Sequence, residues 1–168
     1  MGASGSRTAK RLGELLVDRG LITRGQLERA LALQRSRKTF LGQILIEEGW
    51  VGQEALRDAL AEQFGMPVEP LDPGAVDWAV VEQFPTAALA AGRCFPIRAT
   101  EETVTVALAN PLDAEALSAV ERRSGFREVR PVLVLERELE AVIQAWHQRS
   151  LRLVTDRLTG TPPEESGR

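Results

Sequence analysis

A tandem duplication in the first third of the chain constrains its fold more than any other feature. Residues 11–34, RLGELLVDRGLITRGQLERALALQ, and residues 40–63, FLGQILIEEGWVGQEALRDALAEQ, align without a gap at a spacing of 29. The matched pairs are Leu12/Leu41, Gly13/Gly42, Leu16/Leu45, Gly20/Gly49, Leu27/Leu56, Ala30/Ala59, Leu31/Leu60 and Gln34/Gln63. Each copy is one supersecondary unit whose apolar face has to be buried against its neighbour. Such a duplication also suits a ligand or partner with two similar halves.

Each copy reads as a helix–turn–helix hairpin. Leu12, Leu15 and Leu16 lie at helical spacing before Gly20, as Leu41, Ile44 and Leu45 do before Gly49. A glycine there supplies the left-handed residue that ends a helix at least cost. Thr23 and Gln26 have the spacing of a capping box at the start of the next helix, where the second copy has Gly52. Leu27, Ala30, Leu31 and Gln34 follow at i, i+3, i+4 and i+7, so Gln34, like Gln63, continues an apolar stripe. A polar side chain in that position either turns to solvent at the helix end or awaits a hydrogen-bonding partner.

Beyond Gln63, GMPVEPLDPG breaks the periodicity with prolines and glycines, and a subdomain boundary is expected there. The rest predicts a short helix over 75–83, a second helix capped by Thr86 and running through Ala91, and strands over Cys94–Thr100 and Thr103–Ala109. Glu101–Glu102 would form the hairpin turn. A helix from about Asp113 to Ser124, a strand over Glu128–Leu135 and a helix over Glu136–Arg149 complete the reading. The expected class is therefore α+β: an all-helical tandem-hairpin subdomain followed by a small β-β-α-β-α subdomain. The boundaries read as a flexible N-terminus over 1–9, the repeats over 10–66, a connector over 67–84, the α/β part over 85–149 and an extension or linker over 150–168.

Composition narrows the function. A chain of 168 residues, 43% of them hydrophobic, can bury a proper core. One cysteine, Cys94, and one histidine, His147, argue against a multi-cysteine or histidine-based metal site, and none is expected. No run reaches the roughly 18 apolar residues of a membrane span, and MGASGSRTAKR lacks the apolar stretch of a secretory signal, so the cytoplasm is expected. Residues 1–40 hold nine Lys/Arg against three Asp/Glu, and this local +6 leaves −9 for the rest of a chain of net charge −3. A basic segment of this kind fits either a phosphorylated partner or an ordinary solvated face.

Neither a phosphate loop, a nucleotide-binding G-x-G-x-x-G unit, a G-x-S-x-G elbow nor an H-E-x-x-H pair occurs in the sequence. No catalytic residue or cofactor is assigned, and the expected role is not enzymatic. Binding has more support. Arg11 stands beside Gly13 at a helix start, where free N–H groups favour an anion, and its guanidinium can grip a phosphate or a guanine O6/N7 edge. Gly13 and Gly42 would let a ligand approach the backbone, or would let helices pack closely.

The first copy satisfies the pattern R-L-G-x-x-[LVI]-[LVI]-x-x-G-[LVI]-[LVI]-x-x-x-x-L-x-x-x-L-x-x-Q from Arg11 to Gln34, and Arg35–Thr39 forms a five-residue spacer before the second copy. This resembles the MshEN domain, the cyclic-di-GMP-binding form of the amino-terminal domain of type II secretion and type IV pilus assembly ATPases. The segment Pro85–Trp146, including Ala109-Asn110-Pro111-Leu112-Asp113, is similar to that family's second half. The resemblance implies one cyclic di-GMP lying along both motifs. Arg11 and Gln34 would be the principal polar contacts of the first, with Leu12, Gly13 and Leu16 shaping its surface. Leu41, Gly42, Leu45 and Gln63 would act likewise in the second. The family's guanine-reaching carboxylate after the second strand aligns with Asn110, with Asp113 nearby.

The second motif departs from the family at two positions. Phe40 replaces an arginine and Gln43 an acidic residue. The Phe40 ring can stack on a base, and Lys38 can supply charge. The family's hydrolytic engine has no counterpart in these residues, so both an excised domain and a free-standing receptor fit. The receptor would act on a secretion or pilus assembly ATPase, or on a separate partner. A competing reading is a docking module that recruits a membrane-platform protein and ignores nucleotides. DNA binding fits least, because Glu54, Asp58 and Glu62 occupy the helix that would have to read bases.

Overall fold

The computed structural model describes residues 11–89, 94–112 and 125–159. The duplicated region forms four helices: α1 (Leu12–Asp18), α2 (Arg24–Arg37), α3 (Leu41–Glu47) and α4 (Gln53–Phe64). The two copies turn alike because the same backbone device closes α1 and α3. Gly20 and Gly49 both sit at φ +69°, and the N–H groups just beyond them, of Leu21 and Trp50, reach back to the Leu16 and Leu45 carbonyls at 2.9 Å. The capping box is present at Thr23: its hydroxyl accepts from the Gln26 N–H at 3.2 Å and its own N–H donates to Gln26 Oε1 at 2.8 Å. Gly52 starts α4 with no side-chain cap.

The hairpins then pair crosswise, α1 against α4 and α2 against α3. Leu16, Ala30, Ile44, Leu45 and Ala59 are fully buried at this junction. An Arg19–Glu62 ion pair ties α1 to α4, and the Arg29 guanidinium lies 5.8 Å from the centroid of the Trp50 ring.

The connector is part of the second subdomain rather than a tether. The Leu133 N–H donates to the Pro67 carbonyl at 2.8 Å and the Glu69 N–H to the Leu133 carbonyl at 3.0 Å, a parallel bridge that lays Val68 beside the third strand. The helix expected over 75–83 divides into a 3-10 turn, Pro73–Ala75, and α5, Trp78–Val81. Asp72 and Asp77 each cap a separate start, accepting from the Gly74 N–H at 2.7 Å and the Ala79 N–H at 3.1 Å, with Val76 extended between them. A further turn, α6, spans Thr86–Leu89, with Thr86 as its first residue; the end expected at Ala91 lies outside the described residues.

Strands β1 (Cys94–Ala99), β2 (Thr103–Leu108) and β3 (Glu128–Leu133) form a sheet in that order, antiparallel between β1 and β2 and parallel between β2 and β3. The register runs from Cys94↔Leu108 to Ala99↔Val104, with an irregularity between Pro96 and Arg98, and from Thr103↔Glu128 to Leu108↔Leu133. Glu101 and Glu102 lie in the hairpin turn, as expected. The helix expected over 113–124 lies outside the described residues.

Helix α7 spans Glu136–Thr159 and packs on the sheet through Leu139, Val142 and Trp146, whose ring meets Phe95 edge-on at 6.1 Å. It runs past the end expected at Arg149 into the segment read as an extension or linker. Ser150–Thr159 is rich in leucine and arginine, and neither glycine nor proline occurs before Gly160, so nothing local stops the helix. None of the described helices is long and apolar enough to cross a membrane. The architecture is the α+β arrangement expected, helical repeats followed by a small sheet and helix.

Candidate ligand-binding cavity

The second copy and the α/β subdomain meet around a cavity of about 120 Å³. Its walls are α3 and α4 on one side, the turn after β2 and the β3–α7 junction on the other, and Leu12 of α1 at one end. Of the residues singled out from the sequence, Leu12, Phe40, Gly42, Gln43 and Asn110 converge here. Phe40, the N-cap residue of α3, is 44% exposed at the mouth. Gly42 packs against Leu56: a Cβ there would stand 2.9 Å from Leu56 Cδ2 and would have to displace that side chain. Gln43 is held in a chain of polar contacts, accepting from Thr39 Oγ1 at 2.8 Å and donating to Glu47 Oε1 at 3.1 Å, while Arg37 reaches Glu47 at 3.3 Å. Asn110 Oδ1 accepts from the Leu112 N–H at 3.0 Å, which shapes the turn.

The other expected residues are placed differently. Leu16 and Leu45 are fully buried in the helical core, so neither offers a surface to a ligand. Gly13 is covered by Leu27, whose Cδ1 would be 2.4 Å from a Cβ at that position; close helix packing explains this glycine. Gln34 already has a partner, donating through Nε2 to the Thr39 carbonyl at 3.1 Å and bracing the spacer between the copies. Lys38 ends α2 in the left-handed conformation at φ 51°, with an exposed side chain. Leu41 is half-buried against the core, off the cavity wall. Arg11 is the exposed N-cap of α1, next in sequence to Leu12. Gln63 stands apart from the wall with its Oε1 buried and without a hydrogen-bond partner among the described residues. Asp113 lies outside the described residues.

Sequence reasoning passed over three polar groups of the wall, Gln53, Arg57 and Glu136. Gln53 and Arg57 sit four apart on α4, on one helix face, and both line the cavity. Their counterparts 29 residues earlier are Arg24 and Glu28. That divergence between otherwise matching copies was the signal available. Beside them, Arg137 Nη2 donates to Glu54 Oε1 at 2.6 Å, joining α7 to α4. This hydrogen bond holds the Glu54 carboxyl below its usual range.

Known proteins share this architecture. The MshEN domain family matches residues 64–153, from the end of α4 through the sheet and most of α7. A structure of MshE with cdg, cyclic di-GMP, superimposes at a TM-score of 0.72 and 30% identity, covering 81% of this chain and 98% of that one. The N-terminal domain of XpsE superimposes at 0.62 and 20% identity, over 80% and 92% of the respective chains, a likeness of fold alone. In sequence, the chain is 28% identical over 144 residues to bacteriophage adsorption protein B of Escherichia coli K12, covering 86% of this chain and 19% of that protein. It is 31% identical over 119 residues to the type IV pilus assembly ATPase PilB of Thermus thermophilus, covering 70% and 13%. The chain thus spans less than a fifth of either protein's length. Family match, fold and duplicated motif agree, and the chain belongs to the MshEN domain family.

Proposed function

We propose that this domain is a cyclic-di-GMP receptor module without hydrolytic activity. The observation that carries the reading is the superposition on MshE with cdg over 81% of the chain, combined with a first motif complete from Arg11 to Gln34. The cavity supports it in a specific way. A volume of about 120 Å³ suits one base-sized group and falls short of the ~300 Å³ and more of pockets that enclose whole ligands. The rest of a cyclic dinucleotide would lie outside, along the exposed face of the first copy, where the exposed Arg11 would meet a phosphate or a guanine edge. The ligand would then bridge both copies and the turn at Asn110. Its occupancy would fix how α4 sits against α7 and pass to a secretion or pilus assembly ATPase, or to a membrane-platform protein, in the cytoplasm.

Calorimetric titration of the purified chain with cyclic di-GMP tests this, with GTP and cyclic di-AMP as controls and Arg11→Ala as the matched variant. Selective micromolar or tighter binding, lost or severely weakened in Arg11→Ala with the fold intact, is the expected outcome. Absence of heat and of thermal stabilisation at high ligand concentration would leave the docking reading in its place. That second reading draws on Phe40, which stands where the family's arginine would supply a charge-assisted hydrogen bond of about 1.5–3 kcal/mol.

A further inference from the structure

We infer that Gln53 and Arg57 read the base held in the cavity and make it guanine, restoring from α4 the cation that Phe40 removes from the start of α3. The inference rests on the receptor reading above and adds the residues that set its selectivity. Both side chains lie on the cavity wall with Phe40, Gly42 and Asn110, although α3 and α4 are separated by a turn in the sequence.

The Arg57 side chain is only 18% exposed. It is held by its neighbour, since Nε and Nη2 donate to Asp58 Oδ1 at 3.0 and 2.8 Å. Those bonds occupy one edge of the guanidinium and leave its Nη1–Nη2 edge for a second acceptor pair. The O6 and N7 atoms of guanine are such a pair, and a two-pronged arginine contact to them is a highly discriminating one. Adenine offers N7 beside an amino group, which an arginine donor opposes.

Gln53 supplies the complementary half. Its Oε1 is buried and has no hydrogen-bond partner among the described residues. Leaving a buried acceptor unpaired is costly, so a ligand donor there is favoured beyond the value of an ordinary surface contact. The N1–H and exocyclic amine of guanine are donors; the corresponding N1 of adenine is an acceptor. Phe40, half-exposed at the mouth, contributes a ring face on which either purine stacks. The cavity therefore divides the work: Phe40 provides affinity for a purine, and α4 decides which one.

The test is calorimetry with the intact chain, titrating cyclic di-GMP and cyclic di-AMP into the parent protein and into Arg57→Ala, Arg57→Lys, Gln53→Leu and Phe40→Ala. Circular dichroism and thermal unfolding establish that each variant is folded. Arg57→Ala is expected to weaken cyclic di-GMP by about ten- to a hundredfold and to narrow its lead over cyclic di-AMP. Arg57→Lys, which keeps the charge and loses the fork, should recover only part of that lead, and Gln53→Leu should narrow it independently should either arginine variant fail to fold. Phe40→Ala should weaken both nucleotides and preserve their ratio. A parent protein that binds cyclic di-GMP, with an undiminished guanine preference in Arg57→Ala or Arg57→Lys and in Gln53→Leu, would overturn this inference and leave the receptor reading standing. A parent protein that binds neither nucleotide would overturn both.

Discussion

Leu31 and Leu60 occupy the same position in the two copies of the hairpin, yet Leu31 is 37% exposed and Leu60 only 5%. The difference comes from the α/β subdomain. Val134 and Leu135, at the junction of β3 and α7, line the same cavity as Leu60, whereas Leu31 on α2 stays exposed. A duplicated sequence has produced one covered surface and one accessible surface from nearly the same backbone. The polar residues follow that division. Where the first copy has Arg11, Arg24 and Glu28, the second has Phe40, Gln53 and Arg57 lining the cavity. On the proposed receptor reading, the two motifs would hold two parts of one ligand in different ways, one in a cavity and one on a surface.

The sharpest way to break this comparison is to truncate both leucines. Leu60→Ala should cost about 2–5 kcal/mol, as for a buried leucine left facing a cavity, and Leu31→Ala under about 1 kcal/mol. Urea unfolding of the two variants gives the difference directly. Equal losses would mean that the coverage of α4 does not persist in solution.

The glycines offer a smaller contrast. Alanine at Gly13 meets Leu27 at 2.4 Å and alanine at Gly42 meets Leu56 at 2.9 Å. Overpacking costs about 1–3 kcal/mol, against a gain of about 1 kcal/mol from replacing a helical glycine. Gly13→Ala should therefore be destabilised by about 1–2 kcal/mol and Gly42→Ala by less, measured as the shift in denaturant midpoint at constant slope.

Capping sharpens the comparison further. Thr23→Ala removes the capping box of α2 and should cost about 1 kcal/mol, while Gly52→Ser should add a few tenths of a kcal/mol by giving α4 the cap it lacks. A loss at Thr23 with no gain at Gly52 would show that α4 is already held by its burial.

The smallest effect belongs to Glu54, whose counterpart in the first copy is Gly25. Its carboxyl is lowered by the Arg137 hydrogen bond, so its contribution is present above the ordinary value of 4.5 and is lost as pH falls through the lower folded value. Glu54→Gln should thus differ slightly from the parent at neutral pH and converge with it in acid. Thermal melts from pH 7 to pH 3 read that convergence, and the difference stays small because both partners are more than half exposed.

Much of the local architecture was legible in the residues. Gly20 and Gly49, Thr23 with Gln26, and the apolar, β-branched-rich runs from Cys94 and Thr103 announced turns, a cap and strands through interactions spanning only a few positions. The candidate site was legible in part. Leu12, Phe40, Gly42, Gln43 and Asn110 do converge, but Leu16 and Leu45 belong to the core. The family resemblance gave these leucines a ligand-facing role; the structure encloses both side chains in the helical core. Gln34 posed an open choice between solvent and partner, and the Thr39 carbonyl resolved it.

The duplicated pattern by itself determined that the chain would form two like hairpins, because helix periodicity, glycine-closed turns and capping act between near neighbours. It also carried the resemblance to a family, which the match over residues 64–153 and the superposition on MshE then showed. Only the tertiary structure decided which hairpin would be covered, that Pro67–Glu69 would join the edge of β3, and that Arg57 would share a cavity with Phe40 and Asn110. Those outcomes depend on residues far apart in the chain, as in the contact between Glu54 and Arg137. No local signal encodes such a meeting, because its free energy arises from burying one subdomain against the other.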